Sequence, residues 1–263
     1  MRIITLTSDW GNRDYYAASV KGTIYKQYSE VNVVDITHNI DPFDILQAAF
    51  VLKNAYSQFP PGTIHMVAVH SHPGADVPHL ALEYEGHYFI GTDNGIFSLI
   101  LEQPATKVVE LTISQDSDLM TFPAKELFVK AACHIARGGT LEMLGRPYTQ
   151  MVQRTFLQPV TETNLIKGSV LYVDVYGNVI TNIKRQDFKQ VGKSRNFNMS
   201  FRRPGYDIQV IHKAYDEVPD GEKLALFGAS GYLEIAINKG HAANLLGLRV
   251  GEIVRIDFAE EER

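Results

Sequence analysis

Cysteine is almost absent from this chain: Cys133 is the only one in 263 residues. A lone thiol excludes an intramolecular disulfide framework, and no CxxC pair is present to hold a structural zinc. Long apolar runs are missing as well. Asp, Lys, His or Asn interrupts every hydrophobic stretch before the ~20 residues that a membrane span needs, so no membrane association is expected. Residues 1–10 lack the apolar core and small-residue cleavage site of a secretory leader, which makes the cytoplasm the expected compartment. Basic charge is not in excess either. With 25 Lys+Arg against 30 Asp+Glu the net charge is −5, and a chain without a cationic surplus is not expected to take nucleic acid as a partner. Several signatures of common chemistries are absent too. Without GxGxxG or a Walker loop a standard dinucleotide or P-loop site is not expected, and without GxSxG or HExxH neither is a nucleophile elbow or a zincin helix.

What is present is the composition of a folded protein, 45% hydrophobic, which excludes a disordered or collagenous chain. Residues 2–7 (RIITLT), 31–36 (VNVVDI) and 63–69 (TIHMVAV) are β-rich runs, and between them residues 15–27 and 44–56 carry apolar groups at helical spacing. Strand-helix-strand-helix-strand predicts a parallel sheet. Further strands are predicted at 80–84, 87–91 and 107–111, and a helix at 124–137 stopped by Gly138 and Gly139. From about residue 158 the texture changes to short strands, at 168–173, 178–183, 207–212, 223–227 and 253–258, with one helix at 239–246. The expected fold class is α/β: an N-terminal α/β domain with a mainly parallel sheet (residues 1–157) and a smaller C-terminal β-barrel-like domain (158–263).

Three polar clusters converge on one rim of the predicted sheet. TSDWG (residues 7–11) follows the first strand, DITH (35–38) the second, and TDNG (92–95) a later one, and ligands of open α/β sheets bind beyond such strand ends. Asp9 is therefore a binding candidate, able to accept both hydroxyls of a ribose; the competing reading is a turn or helix cap. Asp93 and Asn94 join it as binding candidates, against the alternative of a plain Asn-Gly turn. The stretch containing His65, His70, His72, Asp76 and His79 has a density that suits a metal, with His70 and His72 predicted on one strand face. No third ligand follows from the sequence, so loop or core histidines are the expectation and no metal is assigned. Cys133 falls in a predicted helix, as a buried structural thiol does. Residues 174–182 (DVYGNVITN) and 227–238 (FGASGYLEIAIN) are either hairpin chemistry or loops that present amides to a polar ligand.

Taken together, TSDWG with Asp14 and Lys21-Gly22, DITHNIDPFD, FPPGTIHMVAV, TDNG, DVYGNVITNI and SGYLEIAINKGHAANLLGL occur in the order and approximate spacing of one family. The chain resembles, nearly end to end, the adenosine-forming S-adenosyl-L-methionine (SAM) hydrolases, whose relatives are the SAM-dependent fluorinases and chlorinases. The resemblance implies a homotrimer, with SAM held between the N-terminal domain of one subunit and the C-terminal domain of its neighbour. SAM is then substrate rather than cofactor, and no cofactor is required. It further implies that Asp9 holds the ribose hydroxyls, that Phe43 presents an aromatic near the ribose, that Asp174 and Asn178 grip the amino acid portion, and that Ser230 and the backbone around Tyr232 and Ala236 meet methionine or adenine. The family reaction is displacement at the 5′ carbon of the ribose, with methionine as leaving group.

The departures from the family fall on the nucleophile side. The hydrolases carry a DPG segment followed by an Arg, and an FHGRD segment; this chain has His72-Pro73-Gly74 with His79, and FPAKE at 122–126. The Asp, Arg and His positions are His72, His79 and Pro123. Two imidazoles and a proline differ in charge and donor capacity from the set they replace. The expected catalytic group is His72, assisted by Asp76 or His79, since histidine near its ~6.5 reference pKa serves as a base at neutral pH. Ala75 and Ala124 stand where the fluorinase halide pocket uses hydroxyls, which disfavours fluoride. The alternatives are a non-catalytic SAM or adenosine binding protein, a chlorinase-like variant, and a metal-dependent hydrolase built on the histidines.

Overall fold

Strand β1 (Arg2–Ser8) is buried continuously from Ile4 to Ser8, the signature of a strand covered on both faces. It pairs in parallel with β2 (Val31–Thr37) on one side and β3 (Ile64–Ala68) on the other. The crossovers are α1 (Tyr16–Gln27) and α2 (Ile45–Ala55), as parallel connections require. Helix α2 starts where Asp44 accepts from the backbone N–H groups of Leu46 and Gln47 at 3.0 and 2.9 Å, a side-chain N-cap. These and the following elements come from a computed structural model that describes residues 2–72, 74, 76–113, 121–201 and 205–260.

Strand β5 (His87–Thr92) extends the parallel set beside β3. Beyond it the sheet reverses. Strand β4 (His79–Tyr84) runs antiparallel to β5 and to β6 (Lys107–Leu111), and β7 (Gly145–Pro147) antiparallel to β6. The order is β2-β1-β3-β5-β4-β6-β7, so the predicted parallel pattern describes one half of the sheet. The other half is antiparallel because Glu85 and Gly86, both at positive φ (49° and 77°), close a two-residue hairpin between β4 and β5. Helix α3 (Ile96–Ile100) follows β5. The helix predicted at 124–137 is divided: Ala124–Phe128 is wound as a π-helix and only Val129–Ala136, α4, is α-helical. Apolar spacing over so few turns does not separate the two windings. Phe128, Ala131, Ala132 and Cys133 pack with Ile4, Ile24, Met66 and Ile90 in the core, and burial pushes the Cys133 thiol up to about 11.

The chain divides into two units between Thr155 and Phe156. The second is built on a sheet of order β11-β15-β9-β10-β14-β13-β12, with β8 beside β9, curled into a half-barrel. In chain order the strands are β8 (Val160–Thr161), β9 (Leu165–Val173), β10 (Val179–Lys184), β11 (Phe197–Ser200), β12 (Ile211–His212), β13 (Lys223–Phe227), β14 (Tyr232–Ile237) and β15 (Ile253–Phe258). Their inward residues, among them Ile166, Val179, Ile183, Leu233, Ile235 and Ile256, form the second core.

Here the sequence reading needs correction in three places. Helix α5 (Arg185–Gly192) was not predicted, since its only bulky apolar residues are Phe188 and Val191. It forms because Phe188 docks its ring on Phe197, Phe227 and Phe258 at 5.1, 5.6 and 5.3 Å, while Asp187 accepts from the Lys184 N–H. The strand predicted at 207–212 shrinks to β12 plus an isolated bridge between Met199 and Ile208. Helix α6 (Ala242–Leu246) is shorter than predicted because Lys239, at φ 52°, ends the preceding strand in a turn. Among the described residues no helix is long and apolar enough to cross a membrane.

Candidate active site

The parallel strands β1, β2, β3 and β5 all end at one edge of the first sheet, and β4 begins there. Asp9 follows β1 at this edge. One of its carboxylate oxygens, Oδ2, accepts from the backbone N–H of Phe43 at 3.0 Å and of His70 at 3.2 Å. Both donors have left-handed backbones, φ 68° and 47°, a conformation that non-glycine residues hold only when the surroundings impose it. Asp9 thus ties the loops after β2 and β3 to its own. Phe43 is 67% exposed, with its ring edge-on to that of His70 at 5.3 Å. The prediction that His70 and His72 share a strand face is corrected: β3 ends at Ala68 and His70 already turns out of the strand.

Below the rim lies His38, buried. Its Nδ1 is 2.6 Å from Ser8 Oγ, and its carbonyl accepts from Gly11 N at 2.7 Å. Its Nε2 lies 3.1 Å from Asp35 Oδ1 but off the axis that a hydrogen bond needs, and Asp35 in turn takes Lys21 Nζ at 2.5 Å. Trp10 stacks on the His38 ring at 5.8 Å and meets Phe122 edge-on at 5.4 Å. His38 therefore grips the Asp9 loop through the residues on either side of it. DITH placed His38 at this edge in the sequence; its grip on Ser8 and Trp10 is a long-range contact that no local pattern reveals.

TDNG is a clamp. Thr92 Oγ1 donates to the Ser71 carbonyl at 2.9 Å and lies 2.9 Å from His79 Nδ1. Asn94 Nδ2 donates to the carbonyls of Val69 and His70 at 3.0 and 3.2 Å. Asp93, almost fully buried, accepts from Val152 N at 3.0 and 3.1 Å and from Tyr148 Oη at 3.3 Å. Burial raises the Asp93 carboxyl above the usual range, opposed by those bonds. Gly95 follows at φ 96°, where a Cβ would sit 2.6 Å from the Arg154 side chain. Asp93 and Asn94, predicted as binding residues, thus spend these polar atoms within the protein, on backbone groups and on the Tyr148 hydroxyl.

His79 is half-buried, its ring edge-on to Phe128 at 5.2 Å. Burial, with His72 beside it, lowers its pKa to about 4. His72 and Asp76 are exposed. Pro123 heads the π-helical stretch, and Pro73 and Ala75 lie outside the described residues. Among the described residues no group of three or more His, Cys, Asp or Glu is placed to hold a metal ion.

In the second unit Asp174 Oδ1 accepts from Tyr176 N and Asn178 N at 3.0 and 2.8 Å, and Oδ2 from Asn178 Nδ2 at 3.0 Å. Gly177 closes this turn at φ 80° with His241 against it. Asp174, Tyr176, Asn178, Tyr215 and Lys239 line a cavity of about 610 Å³. Tyr215 Oη donates to Glu234 at 2.5 Å, and burial raises the Glu234 carboxyl. Ser230 is half-buried in the turn before β14, Tyr232 lies under the Lys184 ammonium at 5.9 Å, and Ala236 is wholly buried on β14. For Ala236, then, the backbone is the only part able to meet a ligand. A larger cavity in the first unit, about 710 Å³ along residues 101–108 and 147–153, contains no residue singled out from the sequence.

Comparison with known proteins agrees with this division. Residues 4–145 match the family model described as SAM hydroxide adenosyltransferase N-terminal domain, and residues 168–255 that of the C-terminal domain. A (R)-S-adenosyl-L-methionine hydrolase of Thermus thermophilus is 30% identical over 97% of this chain and 100% of its own length. One of Methanocaldococcus jannaschii is 28% identical over 94% and 92%, and a fluorinase of Actinoplanes sp. 23% identical over 98% of each. Among solved structures, an uncharacterized conserved protein from Thermotoga maritima superposes with a TM-score of 0.88 at 27% identity, over 98% of this chain and 100% of that one.

Proposed function

Since the chain belongs to the SAM hydroxide adenosyltransferase family, we propose that it is an enzyme that cleaves SAM at the ribose 5′ carbon, releasing methionine and forming adenosine. The observation that carries this reading is the carboxylate of Asp9. Its Oδ2 is engaged by Phe43 N and His70 N, and among the described residues Oδ1 accepts no hydrogen bond. A half-satisfied carboxylate at the strand-end rim is suited to a vicinal diol, because hydroxyl donors complete its acceptor capacity. Exposed Phe43 beside it offers an apolar wall to the ribose.

Catalysis in this reading needs little covalent help from the protein. A sulfonium is already a good leaving group, so the residues must align a nucleophile behind the 5′ carbon and exclude bulk water. His79, His72 and Asp76 are assigned to the nucleophile side. Asp174 and Asn178, with Ser230, Tyr232 and the Ala236 backbone, are assigned to the amino acid and adenine ends. Asp93 and Asn94 act by holding the rim. No metal is needed, because the leaving group requires no Lewis acid, and a homotrimer is the proposed assembly.

The test is direct. Purified protein is incubated with each sulfonium epimer of SAM, since the curated hydrolases are named for the (R) form, and adenosine and methionine are measured with and without a chelator. Equal amounts of both products, unaffected by the chelator and lost in Asp9→Ala, are expected. Calorimetric binding of adenosine with no turnover of either epimer would replace the enzyme by a binding protein, and no binding would overturn both.

A further inference from the structure

The loop after β3 connects the ribose-side carboxylate to a histidine whose protonation is dictated by geometry. His70 N bonds Asp9, and the next carbonyl, that of Ser71, accepts from Thr92 Oγ1 at 2.9 Å. A threonine hydroxyl has one proton to give. With that proton committed to Ser71, Thr92 Oγ1 can only accept from His79 Nδ1, 2.9 Å away. Nδ1 therefore carries the hydrogen, and a neutral imidazole so protonated has a bare lone pair at Nε2. Among the described residues nothing hydrogen-bonds Nε2. The ring is fixed on its other side by Phe128, in the stretch that Pro123 heads. With its pKa lowered to about 4 by burial and by neighbouring His72, the imidazole is neutral around pH 7.

We propose that His79 is a catalytic residue whose bare Nε2 accepts a hydrogen bond from the attacking nucleophile, and that this selects water over halide ions. The inference rests on the SAM-cleavage reading and names its nucleophile. Water can donate to a lone pair; chloride and fluoride have no proton to donate and are repelled by it. An arginine at this position, as the resemblance gives for the hydrolases, donates only and has no such bias against anions. In the step, a water lone pair forms the O–C5′ bond while the C5′–S bond breaks with its electron pair going to sulfur, which becomes the thioether of methionine. The proton of the resulting oxonium, far more acidic than an imidazolium, passes to Nε2 and then to solvent. The positive charge of the sulfonium thus leaves as a proton.

The experiment combines a product assay with a tautomer measurement on the full-length protein. SAM is turned over in chloride buffer and in sulfate buffer of equal ionic strength, and products are separated by mass. Adenosine alone, at equal rates, is expected. His79→Ala is expected to lower kcat roughly 10²-fold, the scale of a lost proton acceptor, with KM for SAM little changed. Thr92→Val is expected to lower kcat and to mix the tautomers, and Thr92→Ser to restore both. Nitrogen-15 NMR of histidine-labelled wild type, with the His79 signals identified by their loss in His79→Gln, should show a protonated Nδ1 and an unprotonated Nε2 whatever the folding of the variants. A protonated Nε2 or undiminished kcat in His79→Ala would overturn the inference while wild-type cleavage of SAM to adenosine left the wider reading standing; a 5′-chloro product would overturn the inference and reduce the wider reading to cleavage of SAM at the 5′ carbon. Failure of the wild type to cleave SAM would overturn that reading and this inference with it.

Discussion

Asp9 shows how much one side chain organises. One of its carboxylate oxygens accepts from two left-handed backbones, at Phe43 and His70, that would otherwise relax, while the second accepts no hydrogen bond among the described residues and is the one proposed to meet a ligand. Replacement by Asn keeps the shape but removes the charge and exchanges an acceptor for a donor. Hydrogen bonds to charged groups contribute about 1.5–3 kcal/mol, so Asp9→Asn is expected to weaken adenosine binding by roughly 10–100-fold in calorimetry. A result within twofold of wild type would remove Asp9 from the binding site. At the N-terminus of α2, Asp44 acts structurally and makes a useful control: Asp44→Ala is expected to cost about 1 kcal/mol of stability, read as a lower Tm, with ligand affinity unchanged.

Among the elements, the turn after β5 ties the rim together. Thr92, Asp93 and Asn94 reach three different partners: the Ser71 carbonyl and His79, the segment containing Tyr148 and Val152, and the carbonyls of Val69 and His70. The alternation of strand side chains and a left-handed Gly95 send these consecutive residues in different directions. Removing the Asp93 acceptor leaves Val152 N without its bond, and about 1–3 kcal/mol is the scale of such a loss at a charged acceptor. Asp93→Ala should therefore speed amide exchange over residues 148–154 ahead of the β1 and β3 amides; uniform acceleration would show that the anchor is not local. The π-helical stretch Ala124–Phe128 is the other irregular element of the rim. It brings Phe122 against Trp10 and Phe128 against His79, and such windings are frequent at functional sites.

At the scale of the whole first sheet, the histidines on its strands and at its edge fall into two groups. Those at the rim bear on the proposed chemistry, whereas His65 and His87 are buried within the sheet: Thr5 Oγ1 lies 2.7 Å from His65 Nδ1, and His65 Nε2 lies 3.2 Å from His87 Nδ1. Burial, and then His87, lowers the His65 pKa to about 3. Because the folded pKa lies below the ~6.5 of an unfolded histidine, the unfolded chain binds the extra proton. Stability is therefore complete above pH ~6.5 and declines on acidification toward pH 3, by at most about 1.4 kcal/mol per pH unit for this one proton. Chemical denaturation of wild type and His65→Gln across that range should show a shallower decline in the variant; parallel curves would assign the acid sensitivity elsewhere. Assembly belongs to this scale as well, and light scattering should give three times the 29.5 kDa chain mass; a monomer or dimer would reject the proposed trimer.

The sequence by itself determined the elements whose signal is local or periodic. Continuous β-branched runs marked β1, β2 and β3, apolar residues at helical spacing over 44–56 marked α2, and β13 and β15 lie where predicted, because strand and helix periods are properties of neighbouring residues. The ordered motifs likewise carried the family and the expectation that Asp9 sits at a strand end. Tertiary structure alone decided what depends on distant partners. Helix α5 exists through three aromatic contacts made by Phe188, the second half of the sheet reverses at a two-residue turn, and His38 grips a loop thirty residues earlier in the chain. The tautomer of His79 was decided in the same way. It follows from a hydroxyl thirteen residues away whose one proton is already given to a third segment, and a hydrogen-bond chain of that kind exists only once folding has brought its members within reach.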